Sequence, residues 1–564
     1  MKYRDWEKGG YDRAVATIFY RSGINPLAAV FLASRGVTDI EEAREILGES
    51  APVIHDPMLM ADMGKAVSRI NAAITGGERI AVYGDYDVDG MTSSVILADW
   101  LRLKGADTEV YIPGRFDEGY GLNSAALDLL KSHGVDLVVT VDCGVTAIEE
   151  ARHARELGLG LVITDHHECR EELPEADAVV DPKRSDCKYP FKALAGVGVV
   201  YKLICALEPQ TGPEAVLLRY GDLVAVGTVA DVMPVGGENR GLIRQGLAVL
   251  NYNPRPGLRS LINEANPEHG MITANAISFT IAPRLNAAGR MGRPDMSVDL
   301  LLSEGDTEAK KLAVELCRLN TERRNLENEI FEQAVTMMPP SVPGGPIVLA
   351  RRGWHQGVTG IVAAKIAERY LAPAIIISID ENRTGRGSCR SYGAFSIYSA
   401  LKSCEDILGN FGGHDMAAGV TVAEDKIGEL RRRIDLYYRD NTTAAPGPGL
   451  VMDFEVDKPD LLAVENIREL DKLEPYGAGF PPPRLCITEA HITSVASIGA
   501  GKHTRLRIGK AGRDFDCIYF SMLAGDLGVR EGMLADVAFE PQINEFRGRA
   551  TVQLNLLDIK ESGR

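Results

Sequence analysis

Three carboxylates at alternate positions, Asp85, Asp87 and Asp89, stand in the stretch Tyr83-Gly84-Asp85-Tyr86-Asp87-Val88-Asp89-Gly90. Like charges this close repel one another and resist burial, so the cluster calls for a cation. Asp142-Cys143-Gly144, Asp165-His166-His167 and Ala230-Asp231 carry the same chemistry further along. Carboxylates mixed with imidazoles suit Mn²⁺, Mg²⁺ or Zn²⁺. The donors suffice for two ions, the arrangement that cleaves phosphodiesters. Any one of these residues alone is better explained by a helix cap or a buried hydrogen bond. Several such groups in one chain favour a metal centre.

The elements that must position them are apolar runs. Ile80 to Tyr83 reads as a buried parallel strand, and Met91 to Leu103 as a helix stopped by Gly105. Val135 to Val141, Leu159 to Thr164 and Asp222 to Val229 each run into an acid. All the groups are therefore expected at strand ends on one edge of one sheet, where open α/β sheets bind ligands. Further strands near Glu109–Ile112 and Ala178–Val180, with helices between, predict a mostly parallel α/β sheet.

A chain of 564 residues exceeds what one core supports, so several domains are expected. With 45% hydrophobic and 25% charged residues it reads as globular, without a run of membrane-spanning length. The first residues lack the apolar core of a secretory signal, so a cytoplasmic location and no membrane partner are expected. Nine cysteines without a CxxC pair argue against a disulfide framework, and Cys143 reads as a small buried filler. A net charge of −17 argues against nonspecific duplex binding but is compatible with a local basic groove.

Residues 1–50 read as a helical cap and 51–245 as the α/β sheet domain. Residues 246–340 form a helical connector containing the charge-rich helix Thr307 to Met338, read as solvated. Pro/Gly-rich linkers at 338–346 and 442–449 bracket a second α/β domain at 341–440. Short β-patterned runs over 450–564 fit a small barrel. Arg115 follows a strand end, and Arg284, Asn286, Arg290 and Arg293 fall in what reads as a Gly/Ala-rich loop. Guanidinium groups suit bidentate phosphate contact, although a solvated loop explains them as well. Ser388 and Arg390 offer a hydroxyl and a cation, and Gly412-Gly413-His414 puts a histidine on a glycine turn. The glycines of Leu194-Ala195-Gly196-Val197-Gly198-Val199 permit close approach to a ligand or tight helix packing. Lys502, Arg505, Arg507 and Lys510 form a basic run, with Arg505 and Arg507 on one strand face. Tyr519, Phe520 and Phe546 are candidates to stack bases, with core packing the competing use.

In their order, the Asp85–Gly90, Asp142-Cys143-Gly144, Asp165-His166-His167 and Ala230-Asp231 motifs resemble those of the DHH phosphoesterases. Gly412-Gly413-His414 resembles the glycine–histidine motif of that family's associated domain. The stretches 115–122, 194–199, 283–291 and 354–362 narrow the likeness to the branch that degrades single-stranded DNA from the 5′ end. The resemblance implies a parallel-sheet DHH domain, a long connecting helix, a second α/β domain and a C-terminal oligonucleotide-binding (OB) barrel. It implies Mn²⁺ or Mg²⁺, two ions, held by Asp87, Asp89, Asp142, His166, His167 and Asp231. Asp85 stands as a further ligand, and Asp165 orients the others. Many members carry a histidine where this chain has Tyr83. By the same resemblance Ser388 and Arg390 hold the terminal 5′ phosphate, with Arg284 or Arg290 near it. His355 also meets the substrate, and His414 the scissile phosphate. The implied partners are single-stranded DNA, a helicase and a single-strand-binding protein, with a monomeric enzyme acting in repair and recombination. Two rivals stand beside this reading. A DHH phosphodiesterase for short oligonucleotides or cyclic dinucleotides has no use for the barrel, and a non-catalytic replication scaffold has none for intact metal motifs.

Overall fold

Apolar runs whose side chains are buried on both faces build the first sheet, as a parallel sheet covered by helices requires. Its strands are β1 (Ile80–Tyr83), β2 (Thr108–Tyr111), β3 (Leu137–Val141), β4 (Gly160–Thr164) and β5 (Ala178–Val180). All pair in parallel, in the order β2-β1-β3-β4-β5. The register sets Tyr83 beside Thr140, Val141 beside Thr164 and Thr164 beside Val180. Whatever follows β1, β3 and β4 therefore emerges on one edge.

The computed structural model describes residues 3–563 apart from 4, 116, 117, 120, 266–269, 339–343, 443–448 and 547. The linkers expected at 338–346 and 442–449 fall largely outside the described residues, as do Phe116, Asp117, Tyr120 and the side chain of Phe546. The chain divides into two compact units, 54–445 and 1–53 with 446–564.

In the larger unit, helices α1 (Val88–Leu103), α2 (Gly196–Leu207) and α3 (Pro213–Ala230) pack against one another beside the sheet. Helix α3 corrects the sequence reading. The apolar run before Asp231 is helical, with Asp231 as its C-terminal cap. A helix buried almost all round and a buried strand leave the same unbroken apolar pattern.

The connector holds α4 (Ala282–Arg290) and the 31-residue α5 (Asp306–Thr336). Arg284, Asn286 and Arg290 thus lie on a helix and not in a loop, with Arg293 just beyond it. Pro283 opens α4, and Ala287, Ala288 and Gly289 are buried. Their small size serves close packing rather than a flexible turn. Helix α5 is not solvated all round, for it buries Leu316, Leu319 and Ile330 and an Arg323–Glu327 ion pair at 2.7 Å.

The second sheet runs β9-β10-β8-β7-β6, from β6 (Ile347–Arg352), β7 (Ala374–Ile379), β8 (Thr384–Arg390), β9 (Leu408–His414) and β10 (Ala417–Ala423). Helix α6 (Gln356–Tyr370) crosses between the parallel β6 and β7. Gly412, Gly413 and His414 end the outer strand β9, so the expected glycine turn is a strand paired to β10.

In the smaller unit, five strands close a barrel: Leu485–Ile498, His503–Lys510, Arg513–Tyr519, Arg549–Glu561 and Leu534–Phe546. The first pairs with the last. Residues 1–53 belong to this same unit. They bring the helices Arg13–Arg21, Pro26–Ser34 and Ile40–Leu47, and a strand, Asp5–Lys8, that pairs with Gly449–Met452. The Trp6 indole N–H donates to the buried Asp558 carboxylate at 3.0 Å.

Candidate metal centre

The loop after β1 carries Asp85 and Asp87, and Asp87 caps α1 by accepting the Gly90 amide at 3.0 Å. Asp89 sits in the first turn of α1, fully inside the protein. The Gly196 and Val197 amides, opening α2, donate to its two oxygens at 2.7 and 2.8 Å. Gly196 has to be glycine, because a Cβ there would stand 2.6 Å from the Asp142 side chain. Asp142 follows β3 with φ of 62°, a left-handed conformation that costs a non-glycine residue energy and is met at functional sites.

Asp165, after β4, is surrounded by donors. It accepts the Val145 amide at 2.9 Å, the His166 amide at 2.7 Å, the His167 amide at 3.2 Å and the His167 Nδ1–H at 2.7 Å. It thereby orients the imidazole and puts the ligating lone pair on Nε2. His166 Nε2 lies 3.1 Å from Asp142, 3.6 Å from Asp231 and 3.9 Å from Asp89.

Donor atoms within 4.8 Å of one another form three overlapping groups: Asp85, Asp87 and Asp142; Asp142, His166 and His167; and Asp89, His166 and Asp231. Burial, then repulsion among the carboxylates, lifts Asp85, Asp89 and Asp142 well above the usual range and Asp231 to about 7. Burial, then the neighbouring His167, brings His166 down to about 4. At His167 burial opposes the charge, but the Asp165 hydrogen bond outweighs it and raises the imidazole to about 9. Asp85 Oδ1, Asp142 Oδ1 and His166 Nε2 are buried without a hydrogen bond. Unsatisfied buried donors of this kind are rare in proteins and fit divalent cations of oxygen and nitrogen preference. Tyr83 contributes no ligand, since its hydroxyl donates to the Gly121 carbonyl at 2.9 Å. Cys143 packs in the apolar core as expected.

A cationic pocket adjoins the cluster. The Arg115 guanidinium stacks 4.7 Å over the Tyr86 ring, between the two acids of the loop. Burial, then repulsion from Arg115, Arg323 and Arg390, brings Arg290 down to about 9. Burial likewise lowers Arg390, with Arg115 adding to it. Guanidinium groups that repel one another are of a chemistry that suits an anion. Ser388 lies 3.1 Å from the Thr359 hydroxyl of α6. Across the sheet, Arg390 pairs with Ala417 and Ala417 with His414, while Ser388 pairs with Gly419 and Gly419 with Gly412. All share one face, opposite the buried Cys389.

Arg284 is six positions from Arg290, hence on another face of α4, and donates to the Thr280 carbonyl at 2.6 Å. His355 caps α6, its Nδ1 accepting the Gly357 amide at 3.1 Å. Lys502, Arg505 and Arg507 belong to the barrel unit. There Arg505 and Arg507 project on its exposed side, near Asp516 at 3.1 Å and Asp514 at 3.8 Å. The sequence gives no sign of Thr359 beside Ser388, and little of the two α2 amides that hold Asp89. The glycine at the start of α2 is the one signal that pointed there.

Comparison with known proteins agrees with this geometry. Family models match in order: the DHH family N-terminal domain over residues 79–228, the DHHA1 domain over 344–440 and the RecJ OB domain over 452–558. The single-stranded-DNA-specific exonuclease RecJ of Bacillus subtilis is 39% identical over 96% of this chain and 68% of its own length. That of Escherichia coli is 34% identical over 95% and 96%. The crystal structure of RecJ from Thermus thermophilus in complex with Mn²⁺ superposes with a TM-score of 0.85 at 30% identity, covering 100% of this chain and 80% of that one. A second, in complex with Mg²⁺, gives 0.80 at 28%. Metal motifs, domain order and near full-length relatives together place the chain in the RecJ family of single-stranded-DNA-specific exonucleases.

Proposed function

We propose that this protein hydrolyses single-stranded DNA from its 5′ end, with Mn²⁺ or Mg²⁺ as cofactor. The observation that carries the reading is the buried carboxylate–imidazole cluster with unpaired donors, adjoining an arginine pocket. When bound, the ions supply Lewis-acid polarisation of the scissile phosphate and acidify the attacking water. Asp85, Asp87 and Asp142 hold one ion, and Asp89, His166 and Asp231 the other. His167 stands with Asp142 and His166 in a third, overlapping group and would complete the set. Asp165 keeps the proton on His167 Nδ1, and the α2 amides keep Asp89 aimed inward. No helix among the described residues is long and apolar enough to cross a membrane.

Arg390, Arg290 and Arg115, with Ser388, grip the terminal 5′ phosphate. Gripping one end sets the polarity, because cleavage is then counted from that end. His414, at the end of β9, donates to the scissile phosphate. Arg505 and Arg507 contact the backbone of the strand, moderated by their aspartate neighbours. A helicase that produces single strands and a single-strand-binding protein that holds them are the partners this activity calls for.

Arg390→Ala tests the assignment. Cleavage of a 5′-phosphorylated strand is expected to fall by about 10²-fold, the scale of losing one charge-stabilising donor, while a 5′-hydroxyl strand loses far less. Equal loss on both substrates, or lost Mn²⁺ affinity in a calorimetric titration, would count against an end-binding role.

A further inference from the structure

Between the metal loop and the arginine pocket runs a line of close contacts, main chain to main chain as far as Gly357 and on to the Ser388 and Arg390 side chains at its end. Gly289 of α4 faces the metal loop, where an added Cβ would lie 3.2 Å from the Tyr86 carbonyl. The next residue, Arg290, holds the start of α6 in two ways. Its carbonyl oxygen would be 2.1 Å from a Cβ on Gly357, so the two main chains touch directly. Its guanidinium also donates to the Gly357 carbonyl at 3.1 Å. One turn on, Gly360 faces the pocket, where a Cβ would meet Arg390 and Ser388 at 3.4 Å each. The series Tyr86, Gly289–Arg290, Gly357, Gly360, Ser388–Arg390 thus links the metal loop to the second sheet with few flexible side chains between.

We infer that this joint is a spacer. It fixes the distance from the metal cluster to the terminal-phosphate pocket, and that distance sets how many nucleotides leave with each cut. Gly357 and Gly289 are then positioning residues that determine product length without touching substrate. Main-chain contact suits a gauge, since close-packed backbone transmits a displacement where a long side chain would absorb it. The inference rests on the reading of Ser388 and Arg390 as the pocket for the strand's end.

The test measures product length. A 5′-phosphorylated single strand is digested with Mn²⁺, and the released fragments are sized by mass spectrometry for the unaltered protein, Gly357→Ala and Gly289→Ala. In Gly357→Ala the methyl group forces α6 away from α4. Cleavage at the original register is expected to fall about 10²-fold, the scale of a 1 Å misplacement, and neighbouring fragment lengths to appear. Gly289→Ala, needing only a few tenths of an ångström, is expected to broaden the same distribution less, and it decides the matter should Gly357→Ala fail to fold. A slower rate with unchanged fragment lengths in the folded variants overturns the spacer. Failure of the unaltered protein to cut any strand would instead sink the exonuclease reading beneath it.

Discussion

Asp165 shows how much of a metal centre lies outside its ligands. Three of its four accepted hydrogen bonds come from His166 and His167, so Asp165→Asn keeps the shape and removes the charge. Mn²⁺ affinity, measured by calorimetry, is expected to fall about 10–100-fold, the usual cost of an outer-sphere partner. Unaltered affinity would reduce Asp165 to a fold residue. The acids at the cluster also make metal binding depend on pH. Burial and repulsion place Asp231 near 7 and lift Asp85, Asp89 and Asp142 above the normal range. A carboxyl whose pKa is raised by folding favours the folded state while protonated, and that contribution is lost as pH rises through its folded value. Cations bind the ionised form and reverse the loss. The rise in thermal midpoint on adding Mn²⁺ should therefore be larger at about pH 8 than at about pH 6. An equal rise at both would contradict the ligand set. These residues were legible because acids in a row after an apolar run have few structural uses. Their supports were not legible, since the α2 amides and Asp89 meet only in the folded chain.

At the level of elements, the sequence distinguished parallel strands from loops but not a buried strand from a buried helix. Asp231 was correctly placed after an apolar run and wrongly placed on a strand, because α3 is covered on nearly every side. In α4 the alanines and glycine that suggested a loop let the helix approach the loop after β1. The charges of α5 suggested a solvated surface, yet Arg323 and Glu327 are buried as a pair, and Glu327 also meets Lys365 of α6. Glu327→Ala leaves the buried Arg323 guanidinium without its counter-charge, with only Asn320 beside it, and removes the Lys365 contact from α6. A destabilisation of about 3–5 kcal/mol in chemical denaturation is expected. A change below about 1 kcal/mol would show the pair to be as weak as a surface contact.

Over the whole molecule, net charge says little about where the charges lie. The protein carries a formal charge of −17, with acids gathered at the metal cluster and arginines gathered beside it. A sum over the chain conceals such a pairing, which suits a phosphate held next to cations. The barrel was legible in its short alternating strands. The strand Asp5–Lys8, which joins that unit from the other end of the chain, was not, because four residues leave too little pattern to read.

The central claim is cleavage of single strands, counted from the 5′ end and dependent on a divalent cation. Its most direct test compares 5′-labelled and 3′-labelled single strands, each with a blunt duplex control, in Mn²⁺ and in EDTA. Short labelled fragments released from the 5′-labelled strand at once, with the 3′ label remaining on long fragments, the duplex spared and EDTA abolishing both, is the predicted result. Release beginning at the 3′ label, equal digestion of the duplex, or full activity in EDTA would contradict it.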